Sequence, residues 1–356
     1  MRSQPLSRHR QQGRAFRTFI LLLLLAAVAT GAWAWQRYVA FADTPIVLTE
    51  GDALDAGDGH GPVFSVEPGD GFLKILAKLR KAGVTQGHDL EWKALAWHMG
   101  VASRIQVGDY ALAGQTPRTL LGKFERGDVI QQRITIIEGW SFRTLRAALA
   151  ANQGLEPETA GLSEAQIMDK LGRKGVHPEG RFLPETYLFT RGTSDLDILR
   201  RAAEAMDAAL AEAWAGREPN RHIDTPDKLL TLASIVEKET GIAEERPRIA
   251  GVFLRRLELG MLLQTDPTVI YGIGDSYDGN IRKRDLLADT PYNTYTRAGL
   301  PPTPIAMPGR AALEAVAHPA AGDELYFVAS GGGAHHFSAT LAEHNAAVDK
   351  YQRKRR

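Results

Sequence analysis

Asp227-Lys-Leu-Leu-Thr-Leu-Ala-Ser-Ile-Val-Glu-Lys-Glu-Thr-Gly-Ile-Ala243, followed by Gln264-Thr-Asp-Pro-Thr-Val-Ile-Tyr271, decides how the chain is read. The first segment is mostly apolar, yet it carries Glu237 and Glu239. At about 100° per residue, these two carboxylates point to nearly opposite sides of a helix and cannot share one job. Leu232, Ile235, Val236, Glu239 and Ala243 fall on one stripe at i, i+3, i+4, i+7 spacing. Glu239 is therefore expected on the inward face, and Glu237 on the side of Leu230, Ser234 and Gly241. A carboxylate on an apolar stripe loses hydration, so its pKa rises. That suits a general acid near neutral pH. The alternative is a Glu at the edge of the stripe, ion-paired with Arg246 or Arg248.

The chain has 356 residues, enough for two domains and additional segments. Its formal net charge is +1, which leaves no global footprint for nucleic acid. It contains no cysteine, which excludes disulfides, thiolate metal sites and a Cys nucleophile. Near the N-terminus, Arg2, Arg8, Arg10, Arg14 and Arg17 precede a charge-free run from Phe19 to Trp35. The run is near the lower limit for spanning a bilayer, roughly 17–25 residues. Arginines before it predict a cytoplasmic N-terminus, and Trp33 and Trp35 sit where an interfacial aromatic belt belongs. A cleaved signal peptide ending at Ala27-Val-Ala29 is the competing reading. The apolar run continues past Ala29, which favours an uncleaved anchor.

This divides the chain into a basic cytoplasmic tail (1–18), a transmembrane anchor (19–36), a Gly/Asp-rich linker (37–61), a small α+β module (62–132) and a larger mixed α/β catalytic domain (133–356). The expected fold class is α+β. In the module, Val63 to Glu67 alternates like a strand and Pro68-Gly-Asp-Gly turns. Phe72, Ile75, Leu76 and Leu79 mark one helix; Leu90, Leu95 and Trp97 mark a second; Ile105 to Leu112 closes as turn and strand. That order resembles a LysM-type module, which implies binding of N-acetylated glycans; a small α+β spacer is the plain alternative. In the larger domain, Arg133-Ile-Thr-Ile-Ile leads into a helix capped by Ser141. Residues 152–180 read as helical with polar turns, and 194–214 as an amphipathic helix. The segment 264–308 reads as long and irregular, the kind of loop that carries function. A buried-type strand from Glu324 and a closing helix from Leu341 to Tyr351 follow.

No Gly-rich phosphate loop follows a strand, and no HExxH is present. His335, His336 and His344 lack a carboxylate at ligand spacing and are expected to be solvated or structural; no metal or cofactor is expected. Ser234 has no nucleophile elbow around it. What remains is one buried carboxyl and a loop of amides, hydroxyls and aromatics, a surface suited to a sugar chain. Most glycosidases use two carboxyls. Asp266 is the available partner for Glu239, but before Pro267 it is equally a turn cap. One carboxyl suffices if the sugar's own C6 hydroxyl closes onto C1, giving a 1,6-anhydro product.

Leu232-Ala-Ser-Ile-Val-Glu-Lys-Glu-Thr240, Phe253-Leu-Arg-Arg-Leu-x-x-Gly-Met, Leu263-Gln-Thr-Asp-Pro-Thr-Val-Ile-Tyr-Gly272, Tyr292-Asn-Thr-Tyr-Thr-x-x-Gly-Leu-Pro-Pro302 and Phe327-Val-Ala closely resemble the MltG (YceG-like) endolytic murein transglycosylases. The resemblance covers about residues 62–350. It implies a membrane-anchored lyase, with its catalytic domain outside the cytoplasm, that cuts the MurNAc–GlcNAc bonds of nascent peptidoglycan strands and leaves 1,6-anhydro-MurNAc ends. It also implies a role in terminating glycan polymerisation beside the peptidoglycan synthases. Aligning the motif on the Glu-Ser of other lytic transglycosylases puts Glu239-Thr240 there, so Glu239 is the expected catalytic acid. Gln264, Asp266, Tyr292, Asn293 and Tyr295 carry over as substrate-cleft candidates. Thr303 stands where the family often has Gly after the two prolines. A hydrolytic muramidase, which would need Asp266, and a non-enzymatic wall-binding scaffold are the alternatives.

Overall fold

The computed structural model describes residues 8–48 and 62–353; the first residues of the basic tail, the Gly/Asp-rich stretch 49–61 and the last three residues lie outside the described residues. The chain divides into two compact units, Met1–Gln131 and Gln132–Arg356. Among the described residues, α-helices are combined with three separate two-stranded antiparallel sheets, so the fold is mixed α+β.

The first unit opens with α1 (Arg8–Asp43), whose segment Phe16–Asp43 contains an 18-residue window of mean hydropathy 2.0. Among the described residues it is the one helix long and apolar enough to cross a membrane. Then come β1 (Val63–Val66), α2 (Phe72–Lys81), α3 (Asp89–Met99), β2 (Gly108–Ala111) and α4 (Pro117–Arg126). β1 and β2 pair antiparallel, Val63 opposite Ala111 and Val66 opposite Gly108. The core gathers Phe64, Ile75, Leu79, Trp92, Leu95, Tyr110, Leu120 and Phe124. The second helix buries Trp92 and leaves Trp97 at 85% exposure, so the tryptophan that marks its inner face is not the one expected.

The linker expected over 37–61 begins too early. α1 continues through Asp43, and Phe41, Ala42 and Ile46 are buried in this unit's core. Phe41 meets the edge of Trp92 at 5.5 Å, the Ile46 amide donates to the Gln115 carbonyl at 2.7 Å, and Asp43 pairs with Arg118 at 2.7 Å. Composition misleads here because Tyr38-Val-Ala-Phe-Ala42 continues the helical apolar spacing beyond the charge-free run.

The second unit contains β3 (Gln132–Thr135), α5 (Phe142–Ala151), α6 (Glu164–Lys170), β4 (Thr186–Phe189), α7 (Asp195–Gly216), α8 (Pro226–Glu239), α9 (Arg246–Glu258), α10 (Asp266–Ile273), α11 (Lys283–Leu287), α12 (Arg310–Ala317), β5 (Tyr326–Gly331), β6 (Ala334–Ser338) and α13 (Leu341–Val348). β3 pairs with β4 across about fifty residues of chain, and β5 with β6 as a hairpin. Of the stretch 152–180, only α6 is α-helical; the rest is turns. The segment 264–308 is not simply irregular. Thr265 opens α10, with Pro267 in the first turn, where no backbone N–H is required.

α8 is the hub of this unit. Its N-terminus is capped by Thr225, whose hydroxyl accepts from the Lys228 amide at 3.2 Å, and Pro226 follows in the first turn. Leu229 through Val236 are all buried. The expected one-sided stripe is therefore replaced by all-round burial, as in a helix enclosed by its neighbours. α7, α9 and α12 pack around it. Ser234 is fully buried, donating to the Thr231 carbonyl at 2.7 Å and accepting from the Ile305 amide at 3.0 Å. Such a hydroxyl serves packing and cannot act as a nucleophile.

Candidate active site

The two glutamates separate at the C-terminal end of α8. Glu237 is structural: its Oε2 accepts from the Gly309 amide at 2.9 Å, and its Oε1 faces the Arg246 Nη2 at 3.5 Å. It thus ties α8 to the start of α12. The ion pair anticipated as an alternative for Glu239 is made by Glu237 instead.

Glu239 is the last residue of α8, and Thr240 leaves the helix in an extended conformation. Its carboxyl accepts a short hydrogen bond from the Thr265 hydroxyl. Burial is the main reason its pKa rises, to about 7, and the charge of Asp266 adds to this; the Thr265 bond and His335 act in the opposite direction. The negative end of the α8 dipole disfavours the carboxylate further.

Thr265 is held by other threonines. Its amide donates to the Thr294 Oγ1 at 3.1 Å, and its carbonyl accepts from the Thr268 hydroxyl at 2.7 Å. Thr268 and Thr294 face each other at 2.9 Å, and all three are buried. Just before this cluster, Gln264 has φ 53°, alone among the described non-glycine residues in having positive φ. That conformation is costly for a side-chain-bearing residue and concentrates at functional sites. Arg256 braces it. Its Nη1 donates to the carbonyls of Leu262 (3.2 Å) and Leu263 (2.7 Å), and its Nη2 reaches the Gln264 Oε1 at 3.5 Å.

Glu239, Gln264, Thr265, Asp266, Tyr295, Arg256, Tyr326, Phe327, His335 and His344 line a cleft of about 440 Å³. The Tyr295 hydroxyl donates to the Asp266 Oδ1 at 2.6 Å. Gln264, Asp266 and Tyr295 therefore share the cleft with Glu239. Two expected cleft residues do not. Asn293 is 1% exposed; its amide donates to the carbonyls of Asp285, Leu286 and Ala288, and its Oδ1 accepts from the Tyr295 amide. It builds the loop that presents Tyr295. Tyr292 packs edge-on against Tyr271 at 4.8 Å and shares a 2.8 Å hydrogen bond with Thr303. Thr303 thus fastens this loop.

His335, expected from the sequence to be solvated or structural, lines this cleft. Its Nδ1 lies 2.8 Å from the Glu245 Oε2, and its amide donates to the Glu245 Oε1 at 2.8 Å. The Thr240 hydroxyl, next to Glu239, donates to the same Glu245 carboxylate at 3.2 Å. The His335–Glu245 contacts span 90 residues, beyond any motif spacing. A second cleft of about 680 Å³ is lined by Trp140, Arg143, Lys238, Pro267, Tyr271 and Tyr277, among others. It uses Lys238 and Pro267 where the first cleft uses their neighbours Glu239 and Asp266. The two clefts therefore flank one ridge.

A model of the YceG-like family matches residues 64–350. The chain belongs to the YceG-like family. Among YceG-like relatives, the endolytic murein transglycosylase of Bacillus subtilis (strain 168) is 34% identical, over 81% of this chain and 84% of that protein. The endolytic murein transglycosylase of Streptococcus pneumoniae serotype 2 is 27% identical over 86% of this chain; the chain spans 60% of that relative's length. The crystal structure of a yceG-like protein of Listeria monocytogenes aligns with a TM-score of 0.50 at 28% identity, covering 80% of this chain and 98% of that one.

Proposed function

We propose that this YceG-like protein is an endolytic lytic transglycosylase of peptidoglycan, with Glu239 as its proton donor and acceptor. The observation that carries the reading is the Glu239 carboxyl, desolvated and raised to about 7 at the rim of an open cleft. At neutral pH a substantial fraction is protonated and able to protonate the glycosidic oxygen as the C1–O bond breaks. The resulting carboxylate collects the proton of the C6 hydroxyl, whose oxygen bonds to C1. No water is consumed, and a 1,6-anhydro-MurNAc end remains. The Thr265 hydroxyl orients the carboxyl, while Gln264, Asp266 and Tyr295 offer hydrogen-bonding and aromatic surfaces to the sugar.

The apolar helix, with arginines before it, supports a single-pass anchor whose N-terminus is cytoplasmic and whose catalytic unit faces the wall. The strand–helix–helix–strand order of the first unit supports a LysM-like glycan-binding role. A position beside the peptidoglycan synthases belongs to the same reading and rests on the family resemblance alone. Hydrolysis is the second reading, favoured by the presence of Asp266 in the cleft beside Glu239. Glu239→Gln tests the proposal: the folded variant is expected to cut purified peptidoglycan at least about 100-fold more slowly. Parental activity in that variant would refute it.

A further inference from the structure

Glu245 and His335 form a rigid pair at the wall of the Glu239 cleft. Glu245 takes both the ring Nδ1–H and the backbone N–H of His335, each at 2.8 Å, together with the Thr240 hydroxyl at 3.2 Å. Thr240 in turn accepts from the Ile242 amide at 3.0 Å, so the turn after α8 and the β5–β6 hairpin are fastened through one carboxylate. Burial would raise the Glu245 carboxyl, but the His335 ring and backbone bonds outweigh it and hold the group below its ordinary value. An ionised Glu245 fixes the ring tautomer with its proton on Nδ1. The edge of Phe327 lies against the ring at 5.4 Å and limits its rotation. Nε2 is left with its lone pair, and it has no hydrogen-bond partner among the described residues. His335 lines the cleft and lies near enough to Glu239 for the two groups to interact electrostatically.

A hydrogen-bond acceptor oriented by a carboxylate, beside a proton donor, is the arrangement of a general base. We infer that His335 is a second catalytic group, whose Nε2 receives the C6 hydroxyl proton of the substrate and returns it to Glu239. The inference rests on the lyase reading above. Glu239 gives its proton to the leaving oxygen as the C1–O bond breaks. O6 bonds to C1 as its proton moves to Nε2. The imidazolium, flanked by the Glu239 and Glu245 carboxylates, then delivers that proton to Glu239, and both groups are reset. Fixing the C6 hydroxyl in this way also selects it over water as nucleophile.

His335→Asn tests this in the full-length protein, because its amide keeps a donor for Glu245 while deleting Nε2. His335→Gln is the comparison, because its side chain reaches the Nε2 position. On purified peptidoglycan strands, His335→Asn is expected to cut at least about tenfold more slowly and to raise the share of reducing ends, one water heavier than anhydro ends. His335→Gln, whose amide can hold the C6 hydroxyl but cannot take its proton, is expected to stay as slow as His335→Asn while regaining part of the anhydro share. Parental rate and product from folded His335→Asn would overturn the inference. So would slow cutting with an unchanged anhydro share and no recovery in His335→Gln, the signature of a hairpin staple. Should His335→Asn not fold, the same two readouts on Glu245→Gln decide: parental rate and product overturn the inference, and slower cutting with more reducing ends supports it. Reducing ends from the parent would refute the lyase reading itself, a separate result.

Discussion

At the residue scale, the division of labour between Glu237 and Glu239 was legible from helical geometry, because two residues of α8 turn a side chain through about 200°. What Glu239 touches was not legible, because Thr265 comes from 26 residues away and is set by a buried threonine cluster. Asn293 was misread because an amide in a polar loop serves backbone carbonyls as readily as a sugar. Asn293→Ala leaves three part-buried carbonyls without that donor and is expected to cost about 1 kcal/mol in a denaturation midpoint, with KM rising through misplacement of Tyr295. Glu239 also links pH to stability. Its folded pKa, about 7, lies above the ordinary glutamate value of 4.5. The stability it contributes is full below the unfolded value and is lost as pH rises through the folded one. Glu239→Gln is therefore expected to raise the melting temperature at pH 8 and to leave it nearly unchanged at pH 4. As a general acid, Glu239 also sets the alkaline limb of kcat/KM, expected near pH 7; a limb near pH 4.5 would contradict its desolvation.

At the element scale, most helices and the strand β5 were legible from period, caps and glycine turns. Ser141, Ser194 and Thr116 cap helices as their positions suggest. α10 was hidden because Asp-Pro reads equally as a turn and as a helix start. The all-round burial of α8 was hidden because Glu237 and Lys238 give its last turn a polar edge. Across the ridge from Glu239, the Gly139–Trp140 loop is tied to Met307 by paired backbone bonds of 2.9 and 2.8 Å, and to α8 through Lys238 at 3.2 Å. Trp140 is thereby fixed relative to the helix that carries Glu239. If the glycan continues into the second cleft, Trp140→Ala removes a stacking face, and KM for long strands is expected to rise by about three- to tenfold, kcat changing less. Unchanged KM would exclude that cleft from substrate binding.

At the scale of the whole molecule, the boundary between the apolar run and the first unit's core was the least legible part, because one helix carries both. Phe41, Ala42 and Ile46 belong to the core of the first unit. Removal of residues 1–36 is expected to leave that unit folded. Removal of residues 1–61 exposes the sites these three side chains fill and is expected to cost about 3–5 kcal/mol in a urea midpoint. Gly87, at φ +69°, lies against the Phe41 ring, so Gly87→Ala strains the same junction. The central claim concerns chemistry rather than stability: a desolvated carboxyl at the end of α8 cuts a glycan strand without water. The most direct measurement is the mass of the ends released when the full-length protein digests purified peptidoglycan. The expected product carries 1,6-anhydro ends, one water lighter than reducing ends, and is absent with Glu239→Gln. Reducing ends from the parent, or anhydro ends made equally well by folded Glu239→Gln, would contradict it.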